Sequence, residues 1–543
     1  MLLHLYLLRN SELRHHGPRL KPFVNPMTSA HVARFAEELP PAAAASRPLS
    51  ARPLYQRLAE HYALAIEQGT LLAGDRMPSV RELMARHEVS LSTALQVLRY
   101  LEESGHVQAR PRVGYFVCHS GAAAGSGLAL TSEPDLSQPV QFEPQAHFVG
   151  INEHISLLLE KGRQAQVRVD IGGCTPPAAL FDHEFFNKTV TRLLREHPTL
   201  LVQGRSLLAN QGNHPDFQQA MARRALASGI RVAPADVLAT TGNSEAVSLA
   251  LAAVTVPGDV VAVESPTYYG LLQVVESLKL QTLEIPCSPR TGLSIEALEL
   301  AFQTQPRLKA VVVVPELQMP LGTRMPDEHK ARLLALCATH DAALIEDDSY
   351  GLFVEGSQPV KPLKAWDSVS GHVIYCQAFN KSMAPGLRQG WMNGGRWHGR
   401  VQMLKFAQSR NTQTLGQLVV AEVLGSPTHL RSLERLKLQL KKQREAMARL
   451  VARYFPLGTR LSLPAGGLCL WLELPAGFST SALFAQALEH GIRIAPGSMF
   501  SNSGRYEHCL RLACTHPVNE ELQQACKDLG AMACRQLGQP RRE

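Results

Sequence analysis

No apolar run in this chain of 543 residues approaches the roughly 18 residues that a membrane-crossing helix needs, so nothing in it reads as a helical span. The nearest candidate, Leu2-Leu-His-Leu-Tyr-Leu-Leu8, is short and has no basic residue before it, which makes it a poor signal peptide. The 10 cysteines contain no Cys-x-x-Cys pair and no grouping with histidine at metal-ligand spacing. That argues against a zinc site or a disulfide framework and for scattered reduced thiols in the cytoplasm. There is no internal repeat. A large charge excess is also missing: a formal net charge of +8 is compatible with a nucleic-acid partner without requiring one.

What remains is an ordinary globular composition, 45% hydrophobic and 19% charged, on a chain too long for one domain. Texture divides it. Residues 1–47 are rich in Pro and Ala, as in Pro40-Pro-Ala-Ala-Ala-Ala-Ser46, and read as a disordered extension within which Met27 would also serve as a start. Residues 48–118 alternate short helical patterns with turn signals. Residues 119–166 carry Gly121-Ala-Ala-Ala-Gly-Ser-Gly and read as a linker closed by a short helix from Ile151 to Lys161. From 167 to 543 the chain reads as one large α/β unit, with a smaller subdomain from about 425. Its buried-strand runs include Val237-Leu-Ala-Thr-Thr, Val260-Val-Ala-Val, Ala310-Val-Val-Val-Val and Ala343-Leu-Ile.

In the first module Leu54, Leu58, Tyr62 and Ala65 recur at helical spacing, with Gly69 placed as a C-cap. Ser79-Val-Arg-Glu82 has capping-box form, and Ser90 is a second N-cap candidate. The helix after it should bury Ala94, Val97, Leu98 and Leu101 and stop at Gly105, leaving Leu91, Ser92 and Thr93 facing outward. Val107 to Val117 then predicts two strands around a turn with Arg110 and Arg112, suited to phosphates. Between 48 and 118 eight arginines meet seven acids, so DNA affinity must come from placement rather than bulk charge.

The ordered set Pro53-Leu-Tyr-Gln, Gly74-Asp-Arg-Met-Pro-Ser-Val-Arg-Glu-Leu83, Val89-Ser-Leu-Ser-Thr-Ala, Leu101-Glu-Glu-Ser-Gly-His-Val and Gly114-Tyr-Phe-Val resembles the winged helix-turn-helix of the GntR family. The resemblance implies that Arg81, Ser90, Ser92 and Thr93 contact DNA, with Arg112 on the backbone. Many relatives carry arginine after the first serine of the recognition helix. Here it is Leu91, so that base contact is lost or replaced by one to a thymine methyl.

The second module holds the parts that pyridoxal chemistry needs. These are a lysine to form a Schiff base, a carboxylate for the pyridine nitrogen, a phenol for the ring oxygen, a helix start with arginine for phosphate, and a distal arginine for a carboxylate. Thr240-Thr-Gly-Asn-Ser-Glu-Ala, Glu264-Ser-Pro-Thr-Tyr-Tyr-Gly270, Ile345-Glu-Asp-Asp-Ser-Tyr-Gly351, Ala378-Phe-Asn-Lys-Ser-Met-Ala-Pro-Gly-Leu-Arg388 and Leu510-Arg-Leu512 follow in the linear order of fold-type I aminotransferases, which this region resembles. The resemblance implies an α/β fold: a mixed, mainly parallel seven-stranded sheet with helices on both faces, and a small C-terminal α+β domain. It implies pyridoxal 5′-phosphate on Lys381, phosphate at Asn243, Ser244 and Arg388, ring contacts from Tyr268, Asp347 and Tyr350, and an effector or substrate carboxylate at Arg511. Two positions depart from the pattern. Met319 stands where asparagine is usual, with Gln318 beside it as a substitute donor, and Ala378 stands where a hydroxyl residue is usual.

Joined in this order, the modules resemble the MocR/GabR-type transcription regulators. That implies a cytoplasmic homodimer on a double-stranded DNA operator, sensing the cofactor or an amino-acid or amine effector. The rival expectations are an active aminotransferase of the 2-aminoadipate or kynurenine type with a DNA-binding head, and a large domain that serves only as a dimerisation scaffold.

Overall fold

The computed structural model describes residues 53–67, 71, 74–104, 106–110, 114–117, 129–131, 151–202, 213–356, 360–367 and 370–540. The chain forms two compact units, 1–120 and 121–543.

The first unit has three helices, α1 (Leu54–Glu67), α2 (Val80–His87) and α3 (Leu91–Glu103), followed by strands β1 (Val107–Arg110) and β2 (Gly114–Val117), which pair antiparallel. The capping box opens α2: Glu82 N–H donates to Ser79 Oγ at 3.3 Å, and the Glu82 carboxylate accepts from Ser79 N–H at 2.7 Å. Ala94, Val97, Leu98 and Leu101 of α3 are all buried, against Leu83, Val107 and Val117. α1 differs from expectation. Its buried face centres on Ala59 and Tyr62, while Leu54 is 51% exposed. α3 ends at Glu103 with Ser104 as its C-cap; Gly105, like Gly69, lies outside the described residues.

The second unit contributes β3 (Ala129–Leu130), β4 (Val169–Asp170), β5 (Leu238–Thr240), β6 (Val260–Ser265), β7 (Gln281–Ser288), β8 (Gly292–Leu293), β9 (Leu308–Val313), β10 (Ala343–Asp347), β11 (Val373–Ala378), β12 (Gly390–Asn393), β13 (Arg460–Leu461), β14 (Cys469–Glu473), β15 (Ile492–Arg493), β16 (Ala495–Pro496) and β17 (Cys509–Ala513). The main sheet runs β5-β12-β11-β10-β9-β6-β7-β8. β7, β6, β9, β10 and β11 pair in parallel, and β12 is antiparallel to both its neighbours. Seven strands make the expected sheet, and the two-residue β8 extends its edge antiparallel to β7. β6 and β11 are buried along their whole length, as strands covered on both faces must be.

The long helix Pro427–Tyr454 leads to a second sheet, β16-β17-β14-β13-β3. Its last strand comes from the stretch expected as a linker: Ala129–Leu130 pairs in parallel with Arg460–Leu461. The helix after it spans Ile151–Gln164, three residues beyond the predicted end. Among the described residues no helix is long and apolar enough to cross a membrane, and no group of His, Cys, Asp and Glu could hold a metal ion.

Candidate functional site

In an open α/β sheet, ligands bind beyond the carboxyl ends of the parallel strands, where successive loops converge. Here those ends carry Tyr268 three residues past β6, Val314 just past β9, Asp347 at the end of β10 and Lys381 three residues past β11. They border a cavity of about 320 Å³. Asn243, Ser244, Tyr268, Asp347, Tyr350, Lys381, Arg388 and Arg511, the eight positions singled out from the sequence of this unit, all line it. They span 243 to 511 in the chain, so only the fold brings them together.

Each wall has a local cause. Asn243 and Ser244 begin the helix Asn243–Val254, whose unpaired N–H groups and positive dipole end suit an anion. Gly242 precedes it at φ +81°, a left-handed conformation that glycine adopts without strain, and a Cβ there would lie 3.6 Å from the Arg388 guanidinium. The pairing of Gly390 with Thr240 across β12 and β5 brings Arg388 to this helix start. Glu245, also in the first turn, is engaged elsewhere, since it accepts from Thr241 N–H and pairs with Lys405 at 2.8 Å.

The turn after β10 is pinned by its own carboxylates. Asp347 accepts from Ser349 N–H at 3.0 Å, and Asp348 accepts from Gly351 N–H at 3.1 Å and from Tyr375 and Gln377. Asp347 thus faces the cavity while Asp348 is used behind it. Burial pushes the Asp347 carboxyl up to about 6, a group that a cationic ring nitrogen would hold ionised. Burial also holds the Lys381 amine below the usual lysine range, and its Nζ donates to the Cys174 carbonyl. Arg511, 3% exposed in β17, donates to the Gly172 carbonyl and lies 5.0 Å from the centre of the Phe500 ring, with its Nε left unpartnered. The Asn243 side-chain oxygen is likewise buried without a partner. A cavity with a low-pKa amine, an anion-binding helix start with arginine, a buried carboxylate and unspent polar atoms fits an aldehyde cofactor bearing a phosphate.

Gln318 does not substitute for the missing asparagine. Its amide donates to the Pro266 carbonyl at 2.7 Å and accepts from Leu321 N–H at 3.1 Å, so it is spent on backbone and does not line the cavity. Met319 does line it, and its sulfur lies 3.5 Å from Cys469 Sγ. The sequence reading missed Gly173, Cys174 and Asn380 in the lining. The signal was a glycine pair after β4: a Cβ on Gly172 would sit 2.7 Å from the Ile494 carbonyl, so only glycine allows that approach. The Cys174 thiol, hydrogen-bonded to Cys469 and close to Arg511 and Lys381, is held below the usual thiol range.

In the first unit Arg81, Ser90, Ser92 and Arg110 are exposed and Thr93 is half-buried. Ser90 caps α3, accepting from Thr93 N–H at 3.3 Å. Arg110 lies over the Phe116 ring at 4.3 Å. Arg112 lies outside the described residues.

Residues 181–529 match the family of class I and II aminotransferases, and residues 54–117 match the gntR family of bacterial regulatory proteins. The chain therefore belongs to the class I and II aminotransferase family, in its MocR-type branch of HTH-type transcriptional regulators with a gntR-type head. It is similar to the HTH-type transcriptional regulators YjiR and YdcR of Escherichia coli K12. Identity to YjiR is 34%, over 89% of this chain and 99% of YjiR; identity to YdcR is 33%, over 88% and 98%. Among solved structures it resembles the α-aminoadipate aminotransferase LysN of Thermus thermophilus, with 26% identity and a TM-score of 0.63, covering 72% of this chain and 96% of LysN. The fold is shared with the kynurenine aminotransferase of Pyrococcus horikoshii, with 24% identity and a TM-score of 0.64, covering 74% of this chain and 99% of that one.

Proposed function

We propose that this protein is a DNA-binding transcriptional regulator that holds pyridoxal 5′-phosphate in its aminotransferase-like unit and reports the cofactor, or an amino-acid or amine effector, to an operator. The observation that carries this reading is the convergence of the eight sequence-chosen residues on one cavity in a chain that also carries a winged helix-turn-helix. YjiR and YdcR, matched over nearly their whole lengths, are transcriptional regulators by name, and LysN was solved with a phosphopyridoxyl amino acid.

When bound, the cofactor supplies an electrophilic aldehyde on an electron-withdrawing ring. Lys381, kept nucleophilic by burial, tethers it. Asp347 would keep the ring nitrogen protonated, Tyr268 would stack on the ring, and Tyr350 would hydrogen-bond its oxygen. The helix start at Asn243 and Ser244, with Arg388, holds the phosphate. Arg511 clamps the effector carboxylate bidentately. In the head, Arg81, Ser90, Ser92, Thr93, Arg110 and Arg112 meet double-stranded DNA. The working form is a cytoplasmic homodimer.

A second reading, an active aminotransferase of the 2-aminoadipate or kynurenine type, is favoured by the presence of Lys381, Asp347, Arg388 and Arg511 in one cavity. Against it, Met319 and Ala378 remove two polar contacts, each worth roughly 1 kcal/mol. The test is operator affinity measured with and without pyridoxal phosphate and candidate amines, beside a spectroscopic half-transamination assay. A ligand can shift the head only through different affinity for two states. An unchanged operator affinity contradicts the regulator; sustained turnover establishes the enzyme.

A further inference from the structure

The buried positions of α3 leave a continuous exposed stripe at Leu91, Ser92, Leu95, Gln96 and Arg99. Residues four apart on a helix are neighbours, so Leu91 and Leu95 form one apolar patch. They are 55% and 39% exposed, which gives aliphatic surface to solvent on the element that a helix-turn-helix lays in the major groove.

The polar groups around the patch narrow what it fits. The hydroxyls of the first turn are engaged with one another: Ser90 Oγ lies 2.9 Å from both Ser92 Oγ and Thr93 Oγ1. Two nearby acids are spent on backbone, Glu82 on Ser79 N–H at 2.7 Å and Glu102 on Ala109 N–H at 2.9 Å. Arg81, Arg99 and Arg110 are exposed. A surface with three exposed guanidinium groups and, among the described residues, only Glu88 beside them as an exposed acid without a backbone bond complements a polyanion better than an apolar protein groove. Within the major groove the thymine methyl is the apolar group on offer, and the side-chain amide of glutamine pairs bidentately with adenine. Both features belong to A·T pairs.

We propose that α3 reads A·T base pairs, with Leu91 and Leu95 packed on thymine methyls and Gln96 on an adenine edge. This rests on the assignment of the head as a DNA-binding module.

The experiment selects bound sequences from a randomised duplex pool with the full chain, then rebuilds the enriched site with uracil replacing thymine one position at a time. The expected site places A·T pairs under α3, and each methyl removed weakens binding about fourfold. Leu95→Ala lowers that difference at the thymine under Leu95 and leaves it at the one under Leu91, Gln96→Ala relaxes the adenine preference roughly tenfold, and Leu91→Arg moves the preference at its position to guanine. These side chains are exposed, so the variants leave the core of the head intact, and the uracil arm alters the DNA alone. An enriched site with G·C pairs under α3, or one indifferent to uracil, overturns the readout and leaves the DNA-binding assignment standing. If no duplex is retained even at low salt, the assignment itself fails and the readout falls with it.

Discussion

The cavity and the exposed face of α3 are built from opposite materials. In the cavity the charged groups are pinned: the turn bearing Asp347 is held by carboxylate-to-backbone hydrogen bonds, and Arg511, buried in β17, donates to the Gly172 carbonyl. On α3 the groups on display include leucines, and the core lies underneath. A small charged ligand can repay the desolvation of a buried arginine because it makes direct, charge-assisted bonds in a water-poor space. A duplex is met in water, where bulk charge gives affinity and base-edge contacts give choice. The cavity therefore spends fold to fix a few atoms, whereas the head spends very little fold.

If that contrast holds, damage to one region should spare the other. The largest effect is expected from Arg388→Ala. Losing a charge-assisted phosphate contact of about 1.5–3 kcal/mol weakens cofactor binding roughly 10- to 100-fold, measured by absorbance titration. Operator binding by the cofactor-free protein stays as it was. A matching loss of operator binding without cofactor would break the separation.

The buried carboxylates sharpen the comparison through pH. Glu264 is pushed by burial from 4.5 to about 8, although it accepts from Val314 N–H at 3.0 Å. A carboxyl whose folded pKa is raised contributes stability that is present below its unfolded pKa and is lost as pH rises through the folded value. The large unit should therefore lose thermal stability between about pH 4.5 and 8. Glu264→Gln should flatten that slope in calorimetric scans; an unchanged slope contradicts the assignment. The smallest effect falls in the head. Ser79→Ala removes half of the capping box and costs about 1 kcal/mol, read as faster amide exchange in α2 with the cofactor spectrum unaltered.

The two regions also differed in how far the sequence displayed them. The head was legible because its signals are local: a cap, a hydroxyl three residues from a carboxylate, and a four-residue burial period in α3. In α1 the helix and the burial of Tyr62 follow the spacing, but Ala59, fully buried beside it, is too small to stand out in a hydrophobic pattern. The cavity residues were legible from the order of short motifs, but the spacing said nothing of what each side chain would meet. Gln318 looked available and is tied to Pro266 and Leu321. Cys174 carried no motif, and it lines the cavity because Gly172 lets the segment after β4 approach Ile494. The pairing of Ala129 with Arg460 was hidden for a related reason: a two-residue strand in a Gly- and Ala-rich stretch has no period to read.

The proposed covalent link at one amine, Lys381, joins the cofactor to this protein. The most direct measurement is borohydride reduction of the cofactor-loaded protein, followed by digestion and mass mapping. The expected result is a reduced phosphopyridoxyl adduct on Lys381, absent from Lys381→Ala. An adduct on another lysine, or none at all, contradicts the assignment of this cavity.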